Sequence, residues 1–277
     1  MTRSAALRVT SRNARFQEWQ ALLANRTKRQ RSGTFLVQGV RPITQAVRHG
    51  WEIRELLYDA ESAPSGWATG VLDTVAAPRF AVSTELIREL SGKTDAPAEL
   101  LAIVGMPPDD LGRIPVEPAL LVLVFDRPTS PGNIGTLVRS ADAFGASGVV
   151  VVGHAADVYD PKSVRASTGS LFCIPVVRIP SARQVLAWLD AARTTGLAIQ
   201  LIGTDETGAI DIAEVDLAPP SALLIGNEKA GLSAAWRDAC DCLARIPIAG
   251  SASSLNAATA ASIALYEATR QRARASR

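Results

Sequence analysis

The sequence predicts an α/β protein whose strands run parallel. Three aliphatic runs, residues 120–125, 222–225 and 243–248, each lead into a polar turn bearing glycine or asparagine: DRPTSPGNIG, GNEKAGLS and AGSASSLN. A fourth run, residues 149–152, is valine throughout, as expected of a strand covered on both faces. Between the strands lie amphipathic stretches with helical period. Ligands of such sheets collect at the carboxyl ends of strands, where backbone amides are free of the ladder. One site built from three loops far apart in sequence is therefore the first expectation.

The elements follow in order. Residues 13–31 read as a helix with Phe16, Trp19, Leu22 and Leu23 on one face and Arg26, Lys28, Arg29 and Arg31 at its end. The cations suit a helix C-terminus as well as a ligand. A strand over 34–37, a helix over 41–49 closed by Gly50, a strand over 53–58, a short strand at 81–82, a helix over 84–90 and a strand over 100–106 complete a small α/β domain, residues 1–106. Residues 107–119, rich in proline and acid, form the expected linker. The second domain is expected over 120–277. There Ile134, Leu137, Val138, Ala141 and Phe144 form a helical stripe that Gly145 stops. Further strands are expected over 172–178 and 198–202, a helix near 182–194, and a last helix over 255–272.

Composition narrows the function classes. A hydrophobic fraction of 47% with 20% charge describes an ordinary soluble protein, and no apolar run suits a signal peptide or a membrane span. Cytoplasmic location is the expectation. Three cysteines, Cys173, Cys240 and Cys242, make no Cys-x-x-Cys pair and read as buried thiols in a reducing compartment. Two histidines make a histidine metal site or a serine triad improbable, and no metal is expected. Charge is distributed unevenly. The first 50 residues hold ten lysines or arginines and one acid, Glu18, so by subtraction from totals of 29 and 27 the remainder holds 19 bases and 26 acids. A basic head on an acidic body is the pattern of a polyanion-binding arm.

Four constellations carry candidate chemistry. In DRPTSPGNIG, Pro131 and Gly132 shape a turn and Asn133 suits a cap for a helix starting at Ile134. Arg139 lies about 140° around from Ile134, off the apolar stripe, and is either a surface residue paired with Asp142 or a ligand-facing cation. In GNEKAGLS, Gly226, Asn227 and Glu228 put an amide, a carboxylate and free backbone donors at a strand end, although turn formation alone would select Gly and Asn there. Neither a Rossmann fingerprint nor a P-loop is present. After Ile246-Pro247-Ile248, the residues Ser253, Ser254, Leu255 and Asn256 open a helix whose first two turns are nearly without bulk. Those polar residues serve as caps or face a ligand. Finally, Lys162 and Arg165 in DPKSVRASTG read as a basic loop that could extend a positive RNA-binding surface. Phe16, Trp19 and Phe35 could stack on bases, but Phe16 and Trp19 at helical spacing read better as core.

Taken together, these residues resemble the SpoU branch of the SPOUT methyltransferases, whose signatures are an Asn-x5-Arg segment, a Gly-Asn-Glu loop and a Ser-Leu-Asn loop after Ile-Pro. The resemblance covers residues 120–272 in the right order; residues 1–106 look like that family's L30e-like RNA-binding domain. SRNARFQEWQALLANRTKRQRSGTFLVQGVRPI and HAADVYDPKSVRASTGSLF look like the avilamycin-resistance 23S rRNA 2′-O-methyltransferase type. The resemblance implies an α/β domain with a deep trefoil knot, S-adenosylmethionine as cofactor, a homodimer, and 2′-O-ribose methylation of 23S rRNA, with a tRNA ribose methyltransferase or a non-catalytic RNA-binding protein as the alternatives. It implies catalytic roles for Asn133, Arg139, Glu228 and Asn256. It implies cofactor contacts from Gly203, Thr204, Gly226, Asn227, Ile246, Ile248, Ser254 and Leu255. RNA contacts are expected from Arg26, Lys28, Arg29, Arg31, Lys162 and Arg165. One departure from the family pattern is Lys229-Ala230, where a glycine commonly follows the glutamate directly.

Overall fold

The computed structural model describes residues 7–92 and 98–275. They divide into two compact units, Met1–Pro107 with Tyr159–Cys173, and Pro108–Val158 with Ile174–Arg277.

The first unit opens with β1 (Leu7–Val9), α1 (Ala14–Ala24) and α2 (Arg26–Ser32). The single helix expected over 13–31 is thus two. Asn25 takes extended backbone angles, and its side chain accepts from Lys28 N at 3.0 Å, so it caps a new helix where the first one ends. There follow β2 (Thr34–Gln38), α3 (Val40–Arg48), β3 (Ile53–Asp59), α4 (Gly66–Thr74), β4 (Arg79–Val82), α5 (Thr84–Ser91) and β5 (Leu100–Gly105). The strands form one mixed sheet in the order β1-β4-β3-β5-β2, parallel between β1, β4 and β3 and antiparallel at β5. Phe16 and Trp19 are buried against this sheet, and Trp19 meets Phe80 edge-on at 5.1 Å. Phe35 is also wholly buried, so none of the three rings is free to stack on a base.

In the second unit β6 (Leu121–Asp126), α6 (Pro131–Ala143) and β7 (Gly148–Val152) alternate as expected. The chain then contributes α7 (Pro161–Ala166) and a 3-10 turn, Ser170–Phe172, to the first unit. The strand expected over 172–178 is accordingly shortened, because Phe172 stacks on Phe35 and receives a hydrogen bond from Trp51 Nε1 at its carbonyl, 3.1 Å away. The second unit resumes with β8 (Val176–Ile179), α8 (Ala182–Arg193), β9 (Gln200–Thr204), β10 (Ile210–Asp211), β11 (Ser221–Ile225), α9 (Ala234–Ala239), β12 (Cys242–Arg245) and α10 (Ala257–Ala275). Its seven strands form one wholly parallel sheet in the order β10-β12-β9-β11-β6-β7-β8. Val122, Val124, Val150, Ala222 and Leu224 form the core of its centre, as their unbroken aliphatic runs require.

Residues 107–119 do not hang as a linker. Ile114 is buried in the core of the second unit, Leu111 and Val116 pack against it, and Arg178 grips Asp109. The three cysteines are half-buried rather than buried. No helix among the described residues is long and apolar enough to cross a membrane.

Candidate active site

The loops that follow β6, β11 and β12 meet at the carboxyl ends of their strands in the second unit. The loop after β6 is held first. Asp126 is buried, and its carboxylate accepts two bonds from Arg127, Nε at 3.1 Å and Nη2 at 3.0 Å, and one from Ser233 N at 2.9 Å. Arg127 itself is left-handed, with φ of +49°, and its carbonyl accepts from Asn227 Nδ2 at 2.6 Å. The hydrogen-bonded carboxylate of Asp126 raises the affinity of the Arg127 guanidinium for its proton.

The loop after β11 is a tight turn. Asn227 and Gly231 exchange two backbone bonds at 3.0 Å, and Asn227 Oδ1 accepts from Lys229 N and Ala230 N, both at 2.9 Å. Gly226 must lack a side chain here: a Cβ would lie 2.5 Å from the carbonyl carbon of Gly231. This turn delivers Glu228 to the start of α6. Its carboxylate accepts from Thr129 N at 2.9 Å, Thr129 Oγ1 at 3.0 Å, Ser130 N at 3.2 Å and Asn133 Nδ2 at 3.0 Å. Burial works to raise the pKa of this carboxyl, but the donors from Thr129 and Asn133 outweigh it, and the value falls below the usual glutamate range. A carboxylate at the N-terminus of a helix is further favoured by the helix dipole.

Asn133 is not the cap expected of it. Ser130 caps α6 and Pro131 takes the first helical position, where a missing N–H costs nothing. The Asn133 side chain is thereby released to bridge Glu228 on one side and Asn256 on the other, whose Nδ2 donates to Asn133 Oδ1 at 3.0 Å. Asn256 also caps α10, accepting from Ala258 N at 2.9 Å. The capping reading of this asparagine holds, and its amide joins the network as well. Arg139 is exposed on α6 and makes no hydrogen bond or ion pair among the described residues, Asp142 included.

Beside this network lies a pocket of about 390 Å³ whose walls include Thr204, Gly226, Asn227, Ile246, Ile248, Ser254 and Leu255. Gly203 is absent from the wall. It is buried in β9 beneath the pocket, where a Cβ would come within 2.6 Å of the Leu243 side chain and 2.8 Å of Cys240 Sγ. Asp205, Glu206, Lys229 and Arg237 also line the pocket and were missed from sequence, although Asp205 stands directly after a strand in the position that draws ligands. Asp205 accepts from Thr207 and is gripped by Arg237. Burial raises its pKa, but Thr207 and Arg237 together bring it below the ordinary aspartate value.

In the first unit, Arg26, Lys28 and Arg31 are exposed on α2, and Lys162 and Arg165 are exposed on α7, which belongs to the same unit. Arg29 is different. Its side chain is 2% exposed, donates to Leu22 O at 2.7 Å, and faces Asp160 at 3.7 Å. It ties the two helices and the returning segment together, and burial removes it from the proposed RNA surface.

Residues 120–266 match the SpoU rRNA Methylase family, and residues 13–102 match the SpoU L30e-like domain. The chain belongs to the SpoU rRNA methylase family. It is 60% identical over 268 residues to the 23S rRNA (uridine(2479)-2′-O)-methyltransferase of Streptomyces viridochromogenes, covering 97% of this chain and 93% of that protein. It is 31% identical to the 23S rRNA (guanosine(2553)-2′-O)-methyltransferase RlmP of Bacillus subtilis, over 93% of this chain and 96% of that one. The crystal structure of the SpoU methyltransferase AviRb from Streptomyces viridochromogenes, in complex with the cofactor AdoMet, superposes with a TM-score of 0.91 at 60% identity, covering 95% of this chain and 99% of that chain. The SpoU fold and its L30e-like N-terminal domain are thus those implied by the sequence motifs.

Proposed function

We propose that this SpoU-family protein transfers a methyl group from S-adenosylmethionine to the 2′-hydroxyl of one nucleotide of 23S rRNA. The observation that carries the reading is the unbroken chain of hydrogen bonds from Thr129 and Ser130 through Glu228 and Asn133 to Asn256, which unites the three motif loops beside one pocket. The pocket's volume falls within the roughly 300–1,000 Å³ of small-molecule sites. Its mixed lining fits the cofactor: Ile246, Ile248 and Leu255 are apolar enough for an adenine face, while Thr204 and backbone donors around Gly226 offer polar contacts.

Bound S-adenosylmethionine supplies an electrophilic methyl group on a sulfonium. The ribose oxygen forms its bond to the methyl carbon as the carbon–sulfur bond breaks, and the hydroxyl proton is lost. The protein's task is alignment and stabilisation of the developing alkoxide. Arg139 is the residue for the second task, since its guanidinium is uncommitted within the described residues. A guanidinium acts there by charge and hydrogen bonding. Glu228, ionised and surrounded by four donors, positions Asn133 and the start of α6.

The reading extends to the relatives' finer properties. A uridine target is supported by the 60% identity to a uridine methyltransferase. Resistance to a ribosome-targeting antibiotic goes with the same likeness. Recognition of RNA through the exposed cations of the first unit is supported by their clustering in one unit from two distant segments. A homodimer is supported by Tyr266, 56% exposed on α10 with its ring 6.1 Å from that of Phe144. A trefoil knot is supported by connectivity in which β12 lies beyond β9 while the following helix, α10, returns to pack on α6 and β11. Cytoplasmic location follows from an rRNA substrate.

The deciding experiment incubates the protein with S-adenosylmethionine and either 23S rRNA or tRNA, then maps 2′-O-methyl groups by primer extension at limiting nucleotide. One new stop in 23S rRNA is expected. Methylation of tRNA alone would transfer the reading to a tRNA enzyme, and a protein without calorimetric cofactor binding would be a non-catalytic relative.

A further inference from the structure

Besides Arg139, which the reading above assigns to the reaction, four cations stand about the pocket and its network, and three of them are committed to the protein. Arg127 is bound by Asp126, Arg237 by Asp205, and Arg245 donates through Nη1 to the carbonyl of Gly208 at 3.1 Å. Lys229 is the exception. It is exposed in the pocket wall, directly after Glu228, and its ammonium makes no hydrogen bond or ion pair among the described residues.

Nor does the turn need a lysine. The turn is fixed by Asn227, which accepts from the backbone of residues 229 and 230, and by the two backbone bonds between Asn227 and Gly231, so any residue with an N–H would complete it at 229. The same turn holds Glu228 rigidly against α6, which leaves the neighbouring Lys229 side chain to project from a fixed base beside the site. An ammonium placed at the wall of a pocket for a sulfonium repels that cofactor, by about 1 kcal/mol at 4 Å in water and more where water is excluded. It is therefore matched to an anion that arrives with the other substrate. A ribose inside an RNA chain carries a phosphodiester on each side, and a compact lysine charge suits a single phosphate oxygen.

We propose that Lys229 is a substrate-positioning residue that binds a phosphodiester flanking the target ribose. The proposal rests on the methyltransferase reading above. It is tested on the full-length protein by steady-state methylation of a 23S rRNA fragment, varying RNA, S-adenosylmethionine and potassium chloride between about 50 and 200 mM. Lys229→Ala is expected to raise KM for RNA about tenfold with KM for S-adenosylmethionine unchanged, and to flatten the plot of log kcat/KM against log salt by about 0.7–0.9. Lys229→Arg should keep the wild-type slope. An unchanged RNA KM and salt slope in the alanine variant would overturn the proposal. So would a rise confined to the KM for S-adenosylmethionine, which would place the ammonium on the cofactor's carboxylate instead. Absence of any methyl transfer by the wild-type protein would sink the methyltransferase reading itself, an outcome distinct from either. Because the Lys229 side chain is exposed and makes no hydrogen bond or ion pair among the described residues, the alanine variant should melt with the wild type, and calorimetric binding of S-adenosylhomocysteine confirms that its pocket is intact.

Discussion

The two units use charge in opposite ways. In the second unit several ionisable side chains near the site are committed to partners within the protein: Asp126 holds Arg127 and Ser233, Asp205 holds Thr207 and Arg237, and Glu228 collects four donors. In the first unit Arg26, Lys28, Arg31, Lys162 and Arg165 are exposed. Each region contains the other's exception. Arg29 is buried and structural in the first unit, while Arg139 and Lys229 are uncommitted in the second. On the proposed reading, charges that position loops are paired within the protein, and charges offered to RNA are exposed. Partner status, more than residue type, separates the two roles.

Removing a free cation from the second unit should break this contrast most sharply. Arg139→Ala is expected to lower kcat by about 10²–10³-fold, the usual cost of one donor to a developing oxyanion, with S-adenosylmethionine binding retained by calorimetry. An Arg139→Lys protein of wild-type rate would show that the planar guanidinium is dispensable. A committed arginine should fail differently. Arg272, near the end of α10, donates to the carbonyls of Ala119, Leu120, Leu217 and Pro219, and its burial lowers its pKa. Arg272→Met leaves the carbonyls of Ala119 and Leu217 without this donor, while those of Leu120 and Pro219 keep Ser221 N and Ser221 Oγ, so about 2–4 kcal/mol of stability should be lost in denaturant melts, with kcat per folded molecule nearly unchanged.

This distinction also marks how far the sequence could be read. The parallel sheet was legible because its strands are covered on both faces and so carry unbroken aliphatic runs such as residues 149–152. The motif residues Asn133, Glu228 and Asn256 were legible as types, and the structure brings them into one network. Long-range partnerships were not. Nothing local in 26–31 tells that Arg29 will meet Asp160 more than a hundred residues later while its neighbours stay exposed. The same holds for residues 159–173, which pack on the first unit because Tyr159 and Phe172 find Phe35 there, at 4.7 and 6.2 Å between ring centroids. The break at Asn25 and the cap at Ser130 were within reach, since both residues are strong N-caps, but the cationic run 26–31 read as the end of one helix and Asn133 stood in for Ser130.

Within the first unit, paired substitutions sharpen the comparison between Arg29 and its neighbours. Arg29→Ala should cost about 2–3 kcal/mol, because it leaves the Leu22 carbonyl and Asp160 without their buried partner. The double variant Lys28→Ala, Arg31→Ala should leave the melting temperature within about 2 °C and act only on RNA. Its binding to an rRNA fragment should weaken as salt slopes fall by about 1.4–1.8 for two lost phosphate contacts. Equal destabilisation in both proteins would show that exposure on α2 does not mark function.

The smallest effect concerns the carboxylate at the centre of the network. The pKa of Glu228 is depressed, so its ionised form stabilises the folded state at pH values above the ordinary glutamate value of 4.5, and that stabilisation is lost as pH falls through the lower folded value. Glu228→Gln cannot ionise and has nothing to lose in that window. Its melting temperature should therefore lie below that of the wild type at neutral pH, and the gap should narrow as pH is lowered towards 3. Other paired carboxylates, Asp205 among them, titrate in both proteins and cancel in the difference. At neutral pH and above, the same depression keeps Glu228 unprotonated throughout, so it cannot set the pH dependence of turnover. The glutamine variant should then be slower yet keep the shape of the wild-type pH–rate profile between about 6 and 9, because the group removed is a fixed acceptor rather than a proton carrier. A limb of that profile that vanished with Glu228 would make it the base and would reverse the assignment of positioning to Glu228 and charge stabilisation to Arg139.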